Sequence, residues 1–186
     1  MTQKTGLFLL LLIFLIACDT YEAASFDVQG DQAIMSGVID RSTIDEVEIL
    51  IEEHPEVRTI VMVDVEGSAD DEANLVASRL IREAGLNTHV PADGLIASGG
   101  VDMFIAGVER TVDQGARVGV HSWADGDGRE GKEISPNSPK HDPYLSYYEE
   151  MGVPDEFYWF TLDSAPADDM YYMTMSEMDE FDIVTE

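Results

Sequence analysis

Midway along the chain, one segment reads Ile96-Ala97-Ser98-Gly99-Gly100-Val101-Asp102-Met103-Phe104-Ile105-Ala106-Gly107. It predicts a helix of small residues over 98–108. A serine placed just before a helix exposes its hydroxyl, while the next backbone N–H points out of the helix start. That is the arrangement an oxyanion site requires. Ser98 is therefore a candidate nucleophile, although a Ser-Gly-Gly sequence alone is more often a turn.

A serine nucleophile also needs a base. Downstream, residues 116–120 read Ala-Arg-Val-Gly-Val and predict a strand, and His121 follows directly. A histidine within hydrogen-bond reach of a serine can take the hydroxyl proton and activate the oxygen. Because most sequences contain a serine and a histidine, these two residues alone are weak evidence for a catalytic pair. Their structural context must support the assignment.

The rest of the chain alternates between strand and helix patterns. Apolar runs predict strands over 33–39, 58–65 and 88–90, and helical spacing predicts helices over 42–53 and 69–84. A polar stretch over 124–142, rich in Gly, Asp, Ser and Pro, predicts a flexible acidic loop, and short helices are expected over 144–151, 155–162 and 176–181. This alternation predicts an α/β fold with a largely parallel sheet.

The N-terminus has the pattern of a targeting segment. Lys4 precedes a ten-residue apolar run over 7–16, which is too short to cross about 30 Å of hydrocarbon as a helix. The run ends in Leu15-Ile16-Ala17-Cys18, which resembles a bacterial lipobox. The resemblance implies a lipoprotein signal peptide over 1–17, lipidation of Cys18 and a tether over 18–32, leaving a domain over 33–186. The alternative for Cys18 is a buried or reactive thiol.

Charge and composition exclude several functions. The 10 Lys and Arg residues stand against 38 Asp and Glu, a net charge of −28. Such a surface repels phosphate, so nucleic-acid binding is not expected. It also destabilises the compact state unless salt screens it, which indicates a marine or halophilic source. One cysteine cannot form an internal disulfide.

Neither a metal site nor a cofactor is predicted. His54, His89 and His141 have no ligand spacing to one another. The Asp125-Gly126-Asp127-Gly128 run lacks the glutamate at the twelfth position that an EF-hand calcium loop requires. A solvated acidic loop is the favoured interpretation of this run.

Three motifs together resemble the ClpP family of serine peptidases, within the ClpP/crotonase superfamily. Residues 97–100 and 106–107 match the opening and close of that family's nucleophile helix. Residues 66–71 stand where family members have a Gly-Gly-Ser turn, and residues 117–121 resemble the strand that delivers the histidine. The segments 80–90 and 170–174 are similar to periplasmic ClpP-like proteins, and the resemblance covers about residues 33–185. It implies repeated strand-strand-helix units, a largely parallel sheet and short C-terminal helices.

The resemblance also implies residue roles. Ser98 would be the nucleophile and His121 its general base. The backbone N–H groups of Gly67 and Gly99 would form the oxyanion hole. Asp169 is assigned as the third catalytic residue, which orients the histidine.

The third catalytic residue has more than one candidate. Asp168 stands beside Asp169, and Asp163 is a further candidate. Alignment with the family's last helix puts the expected acid at Met170, so Asp169 requires a shift of one residue.

Two departures from the family pattern concern activity. Glu66 replaces the first glycine of the family's turn, and Asp102 lies one turn into the nucleophile helix, where relatives tend to be apolar. A carboxylate beside an oxyanion site opposes the developing negative charge unless it points to solvent. Reduced or lost activity on an intact fold therefore remains open.

The expected function is a membrane-anchored serine hydrolase on the periplasmic face, a peptidase acting on peptides or proteins. Asp19 after the lipidated cysteine implies retention at the inner membrane. The alternative is an inactive binding or assembly lipoprotein of the same fold. A third reading is acyl-thioester chemistry of the crotonase kind, against which stands the paucity of Lys and Arg to meet coenzyme A phosphates. Association into homo-oligomers is compatible with the resemblance.

Overall fold

The computed structural model describes residues 21–185. The lipobox, Cys18 and Asp19 lie outside the described residues. Within them the chain forms eight strands, six helices and one short 3₁₀ helix. The elements in chain order are β1 Ser25–Gln29, β2 Gln32–Ser36, α1 Ser42–Glu53, β3 Thr59–Val65, α2 Asp71–Glu83, β4 Asn87–Val90, β5 Leu95–Ala97, α3 Gly99–Phe104, β6 Arg110–Val112, β7 Arg117–Val120, the 3₁₀ helix Gly131–Glu133, α4 Asp142–Met151, α5 Asp155–Ser164, β8 Tyr171–Tyr172 and α6 Met175–Glu180.

The strands form one mixed sheet in the order β1-β2-β3-β5-β7-β8. Pairing is parallel from β2 to β7 and antiparallel at the two ends, between β1 and β2 and between β7 and β8. The start of β3 pairs with β4, which pairs in turn with β6, whereas the end of β3 pairs with β5. The predicted α/β fold with a largely parallel sheet is confirmed.

The central strands are buried because their residues are almost continuously apolar. Ile60 and Met62 of β3 and Ile96 of β5 are fully buried, and they pack with Ile81 of α2 and Phe104 of α3. Strands covered by helices on both faces have this composition, whereas half-exposed strands alternate. The core therefore lies between the sheet and the helices that cross over it.

The N-terminal part of the domain differs from the prediction. The tether expected over 18–32 includes β1, which pairs along its whole length with β2. In β1, exposed residues alternate with half-buried ones, as in an edge strand that is solvated on one face. Such a short, polar strand lacks the apolar run by which β3 was recognised.

The predicted flexible loop over 124–142 carries local structure. Ala124 bridges to Glu130, and the 3₁₀ helix follows. The carboxylate of Asp125 accepts hydrogen bonds from the side chains of Arg129, at 2.9 Å, and Lys140, at 2.8 Å. These bonds hold the pKa of Asp125 well below its usual range, with the Lys140 bond as the largest cause. One carboxylate thus ties the two ends of the loop together.

The helices after this loop are short, as predicted. None of the helices in the described part of the chain is long and apolar enough to cross a membrane.

Candidate active site

Ser98 lies at the sharp turn between β5 and α3. Its backbone adopts φ 52° and ψ −127°, a region that residues other than glycine rarely occupy. Its N–H donates to the carbonyl oxygen of Gly119 in β7 at 2.9 Å, and its own carbonyl accepts from Val101 at 2.8 Å. Backbone strain of this kind persists only where the surrounding structure enforces it, and it is concentrated at functional sites.

His121 follows β7, the strand next to β5. Because these strands are parallel and Ala97 lies opposite Gly119, the residues that follow them emerge at the same edge of the sheet. Ser98 and His121 both line one cavity of about 50 Å³. No hydrogen bond joins the two side chains, and catalytic hydrogen bonds of this type often tighten only when substrate binds. The structure therefore brings together the predicted nucleophile and base.

The candidate oxyanion donors flank Ser98. A Cβ added to Gly67 would lie 3.5 Å from the Cβ of Ser98 and 3.8 Å from its Oγ, so the Gly67 backbone lies directly beside the hydroxyl. Gly99 begins α3, where N–H groups have no partner within the helix. The predicted donors are thus both adjacent to the nucleophile.

The start of α3 is packed tightly against β3 and α2. A Cβ on Gly100 would collide with the carbonyl oxygen of Val65, and one on Gly99 would lie 2.7 Å from the Cβ of Ser68. The amide group of buried Asn74 donates to the carbonyl oxygen of Gly99 at 2.8 Å. Asn74 therefore positions the peptide next to the nucleophile, a role that its place in an amphipathic helix did not reveal.

Glu66, at the position where the resemblance predicts a glycine, is exposed at the end of β3. Its carboxylate is therefore solvated, which weakens its influence on charge developing at Ser98.

No acidic side chain among the described residues forms a hydrogen bond with His121 as a third catalytic residue would. The Nδ1 atom of His121 is buried and has no partner among residues 21–185. Asp169 is exposed, and its carboxylate accepts from the backbone N–H of Met170 at 2.8 Å. Asp163 and Asp168 are exposed as well. The assignment of Asp169 therefore stays a prediction.

The register of β8 explains this arrangement. Val120 pairs with Tyr171, and continuing the antiparallel register by one residue places Met170 opposite His121. The Met170 side chain packs over Gly119, because a Cβ added there would lie 2.8 Å from its Cγ and Sδ. A shift of one residue in a strand turns a side chain to the opposite face. In this register Met170 therefore occupies the position where the family alignment expected an acid, and Asp169 is the residue before it.

The remaining walls of the cavity are aromatic and acidic. They are formed chiefly by Trp123, Tyr144, Tyr148 and Tyr158, with Asp102 inside and Asp71 at the exposed mouth. Nothing in the sequence pattern of the helices predicted over 144–151 and 155–162 indicated that their tyrosines face the same cavity as Ser98.

Hydrogen bonds hold both carboxylates in place. The Tyr148 hydroxyl donates to Oδ1 of half-buried Asp102 at 2.6 Å, and the Tyr144 hydroxyl donates to Asp71 at 2.9 Å. Asp71 also accepts from Ser68. Burial raises the pKa of Asp102 to about 7, against the opposing effect of the Tyr148 bond.

Tyr158 connects the cavity to a buried histidine. Its hydroxyl accepts from the indole N–H of Trp123 at 2.9 Å and lies 2.6 Å from Nδ1 of fully buried His141. His141 therefore serves as a packed core residue. In residues 21–185 no group of three His, Cys, Asp or Glu side chains is arranged to hold a metal ion.

Comparison with known proteins gives matches at the level of structure. No protein-family model matches the chain, and no curated protein matches it in sequence. An enoyl-CoA hydratase from Polaromonas sp. JS666 is similar over 88% of this chain and 69% of its own, with 13% identity and a TM-score of 0.54. A similar hydratase from Bacillus halodurans is matched over 87% of this chain and 71% of its own, with 13% identity and a TM-score of 0.54.

The structure is also similar to a membrane-bound stomatin-specific protease, solved as a mutant in complex with a substrate peptide. The match covers 82% of this chain and 71% of that protein, with 14% identity and a TM-score of 0.52. At such low identity these similarities establish the fold and not the activity. The chain has the fold shared by ClpP-like proteases and the crotonases.

Proposed function

We propose that the protein is a membrane-anchored ClpP-like serine hydrolase, a peptidase that forms an acyl-enzyme on Ser98. One observation carries this proposal. Ser98, in a strained turn after β5, and His121, directly after β7, line the same cavity at the carboxyl ends of neighbouring parallel strands. The periplasmic location and the lipid anchor on Cys18 rest on the lipobox resemblance.

In the first half of the reaction, the Oγ of Ser98 forms a bond to the substrate's carbonyl carbon while its proton passes to His121. The N–H groups of Gly67 and Gly99 stabilise the oxyanion, and each such donor typically contributes roughly 2.7–4 kcal/mol. The carbon–nitrogen bond then breaks, and the leaving amine takes the proton from His121. The acyl group remains as an ester on Ser98.

In the second half, His121 removes a proton from a water molecule, whose oxygen bonds to the acyl carbon. The ester bond to Ser98 then breaks, and the proton on His121 returns to the serine oxygen. The product is a carboxylic acid, and the enzyme regains its starting form.

A fluorophosphonate probe tests the nucleophile. On the full chain in detergent, we expect a covalent adduct that mass spectrometry maps to Ser98. Ser98→Ala should abolish the adduct and His121→Gln should slow its formation, whereas Ser176→Ala, which changes an exposed serine of α6, should leave it unchanged. An unlabelled Ser98, while a reference serine hydrolase reacts under the same conditions, would refute the proposal.

The second candidate is a non-catalytic binding or assembly lipoprotein of the same fold. The unpartnered Nδ1 of His121 favours it, because an imidazole without an orienting acid is a weaker base. A wild-type phenotype in a strain that carries only Ser98→Ala would support this candidate. Thioester chemistry is less favoured, since neither Lys nor Arg lines the cavity to meet a coenzyme A phosphate.

A further inference from the structure

The cavity beside Ser98 is negative on one side. Asp102 lies in α3, one helical turn from the nucleophile, and Asp71 lies at the mouth. Asp102 directs only Oδ1 to a protein donor, Tyr148, and its Oδ2 accepts no hydrogen bond from the described residues. A carboxylate oxygen that faces a cavity without a partner is a place for a ligand's donor group.

Much of the remaining cavity lining is aromatic. Trp123 stacks on Tyr144 with ring centres 6.2 Å apart, and Tyr144 stacks on Tyr158 at 5.7 Å. Aromatic faces attract cations through their negative quadrupole, most strongly where water is excluded. The carboxylates and the stacked rings of this cavity therefore both favour a positively charged ligand.

No Lys or Arg side chain within residues 21–185 meets this preference. None of the residues that line the cavity is Lys or Arg. Arg79 pairs with Glu150 on the outer surface of α4 at 2.5 Å, and Arg82 donates to the backbone carbonyl of Met151 at 2.8 Å. The arginines of α2 are thus committed to other partners, and the cavity stays negative.

On the basis of the proposed hydrolase function, we propose that this cavity receives the ammonium group of a lysine side chain, in the residue whose carbonyl Ser98 attacks. The lysine stem would lie against the tyrosine rings, and its ammonium would donate to Asp102. The α-carbons of Ser98 and Asp102 are about 6 Å apart along α3, a distance that a lysine side chain can span. The small volume of the cavity favours the slender lysine over the broader arginine.

Three peptidyl aminomethylcoumarin substrates test this specificity. They differ only at the residue before the scissile bond, which is lysine, norleucine or glutamate, and norleucine is close to lysine in shape but uncharged. On the full chain in detergent at about pH 8.5, where the Asp102 carboxyl is ionised in the fold, we expect kcat/KM to be at least about tenfold higher for lysine than for norleucine, and lowest for glutamate, because hydrogen bonds to charged groups are the stronger ones.

Two variants locate the source of the preference. Asp102→Asn should remove most of the lysine-to-norleucine ratio, since the amide keeps an acceptor for Tyr148 but loses the charge. A merely structural effect would lower both rates alike and leave the ratio unchanged. Glu52→Gln, which removes one charge from an exposed position on α1, should retain the wild-type ratio.

The outcomes separate this inference from the hydrolase proposal. Turnover with norleucine equal to or above lysine would overturn the lysine assignment while the hydrolase stands. No turnover of any substrate together with an unlabelled Ser98 would refute the hydrolase. In that case, saturation-transfer NMR with n-butylammonium and its neutral analogue 1-butanol decides the cavity's preference: binding of the ammonium alone supports a cation site, and equal binding or none overturns it.

Discussion

The hydroxyl of Tyr148 donates a hydrogen bond to the Asp102 carboxylate at 2.6 Å, and the preceding residue, Tyr147, donates to the backbone carbonyl of the same aspartate, also at 2.6 Å. Two successive residues of α4 therefore hold one residue of α3. Because α3 begins directly after Ser98, the C-terminal helices restrain the nucleophile's helix as well as lining its cavity.

Asp102→Asn should stabilise the protein at alkaline pH. The Asp102 carboxyl has a pKa of about 7 in the folded chain and near 3.8 when unfolded. Between these values the folded state keeps a proton that the unfolded state has lost, so stability falls as pH rises through this window. We expect the variant's free energy of unfolding to exceed that of the wild type by about 4 kcal/mol at about pH 9, because a difference of one pKa unit corresponds to about 1.4 kcal/mol. Urea denaturation measures it.

The same pair of proteins should differ little at about pH 4.5, where the wild-type carboxyl is protonated in the fold. The tyrosines that face Asp102 stay neutral across this range, because burial raises the pKa of Tyr158 to about 12 and holds the pKa values of Tyr144, Tyr147 and Tyr148 well above their usual range. Asp71 of α2 also faces Asp102, and it is present in both the wild type and the variant. A difference independent of pH would contradict the assigned ionisation.

Met170→Asp should increase the reactivity of Ser98. Met170 packs over Gly119, on the strand that delivers His121, and the buried Nδ1 of that histidine lacks a partner. A carboxylate there would orient the imidazole and stabilise its protonated form. We expect labelling by a fluorophosphonate to accelerate about tenfold or more.

Asp169→Asn is the matched comparison for Met170→Asp. If Asp169 were the orienting acid after rotation of its side chain, this variant would slow labelling strongly. A rate unaffected by Met170→Asp but reduced by Asp169→Asn would favour Asp169 over position 170.

Gly100→Ala should destabilise the protein and reduce labelling of Ser98. The added methyl group would collide with the Val65 carbonyl and displace α3 from β3. Overpacking against backbone cannot be relieved by a rotamer change, and we expect a loss of about 3 kcal/mol. Gly126→Ala is the control, because a Cβ there meets nothing within 4 Å. Equal stability of the two variants in thermal melts would contradict the close packing.

Salt should stabilise the wild-type protein. The net charge of −28 produces repulsion that is screened as the Debye length shrinks from about 10 Å at 0.1 M to about 3 Å at 1 M ionic strength. We expect the melting temperature to rise between these concentrations of NaCl. A melting temperature that stays constant would indicate that the acidic groups are balanced locally.

Cys18→Ser should release the protein from the membrane. The lipobox resemblance implies that acyl chains on this cysteine anchor the chain, and several chains on one residue give stable binding. In fractionated cells, the wild type is expected in the membrane pellet and the variant in the soluble fraction. Equal membrane association of both proteins would argue against lipidation.

Sequence patterns identified the elements whose composition is distinctive. The nearly continuous apolar run of β3 predicted a buried strand, and the small residues after Ser98 predicted a helix over 98–108. Both elements are present, although α3 ends at Phe104. The three-residue strand β6 went unnoticed, because its Arg110 is a charged residue that becomes buried by donating to the carbonyl oxygens of Ile183 and Asp182. Nothing local in the sequence shows that a distant segment will supply these acceptors.

Part of the candidate site could be predicted from the sequence, because some of its residues lie in distinctive local motifs. Ser98, His121 and the two glycines belong to short motifs at strand ends, where parallel topology brings them together. The tyrosine walls come from α4 and α5, and their approach to Ser98 depends on how these helices pack, which periodicity does not encode. The mismatch between Asp169 and Met170 depends on a register that only the pairing of β8 with β7 defines.

The backbone of Ser98 has an evolutionary implication. At φ 52° and ψ −127°, glycine would relax the turn, and side chains in such regions cost on the order of 1–3 kcal/mol. If this residue had only a structural role, a substitution to glycine would increase the stability of the fold. Homologues that retain serine at this position would lack that added stability. Its retention would therefore indicate selection for catalysis rather than for stability.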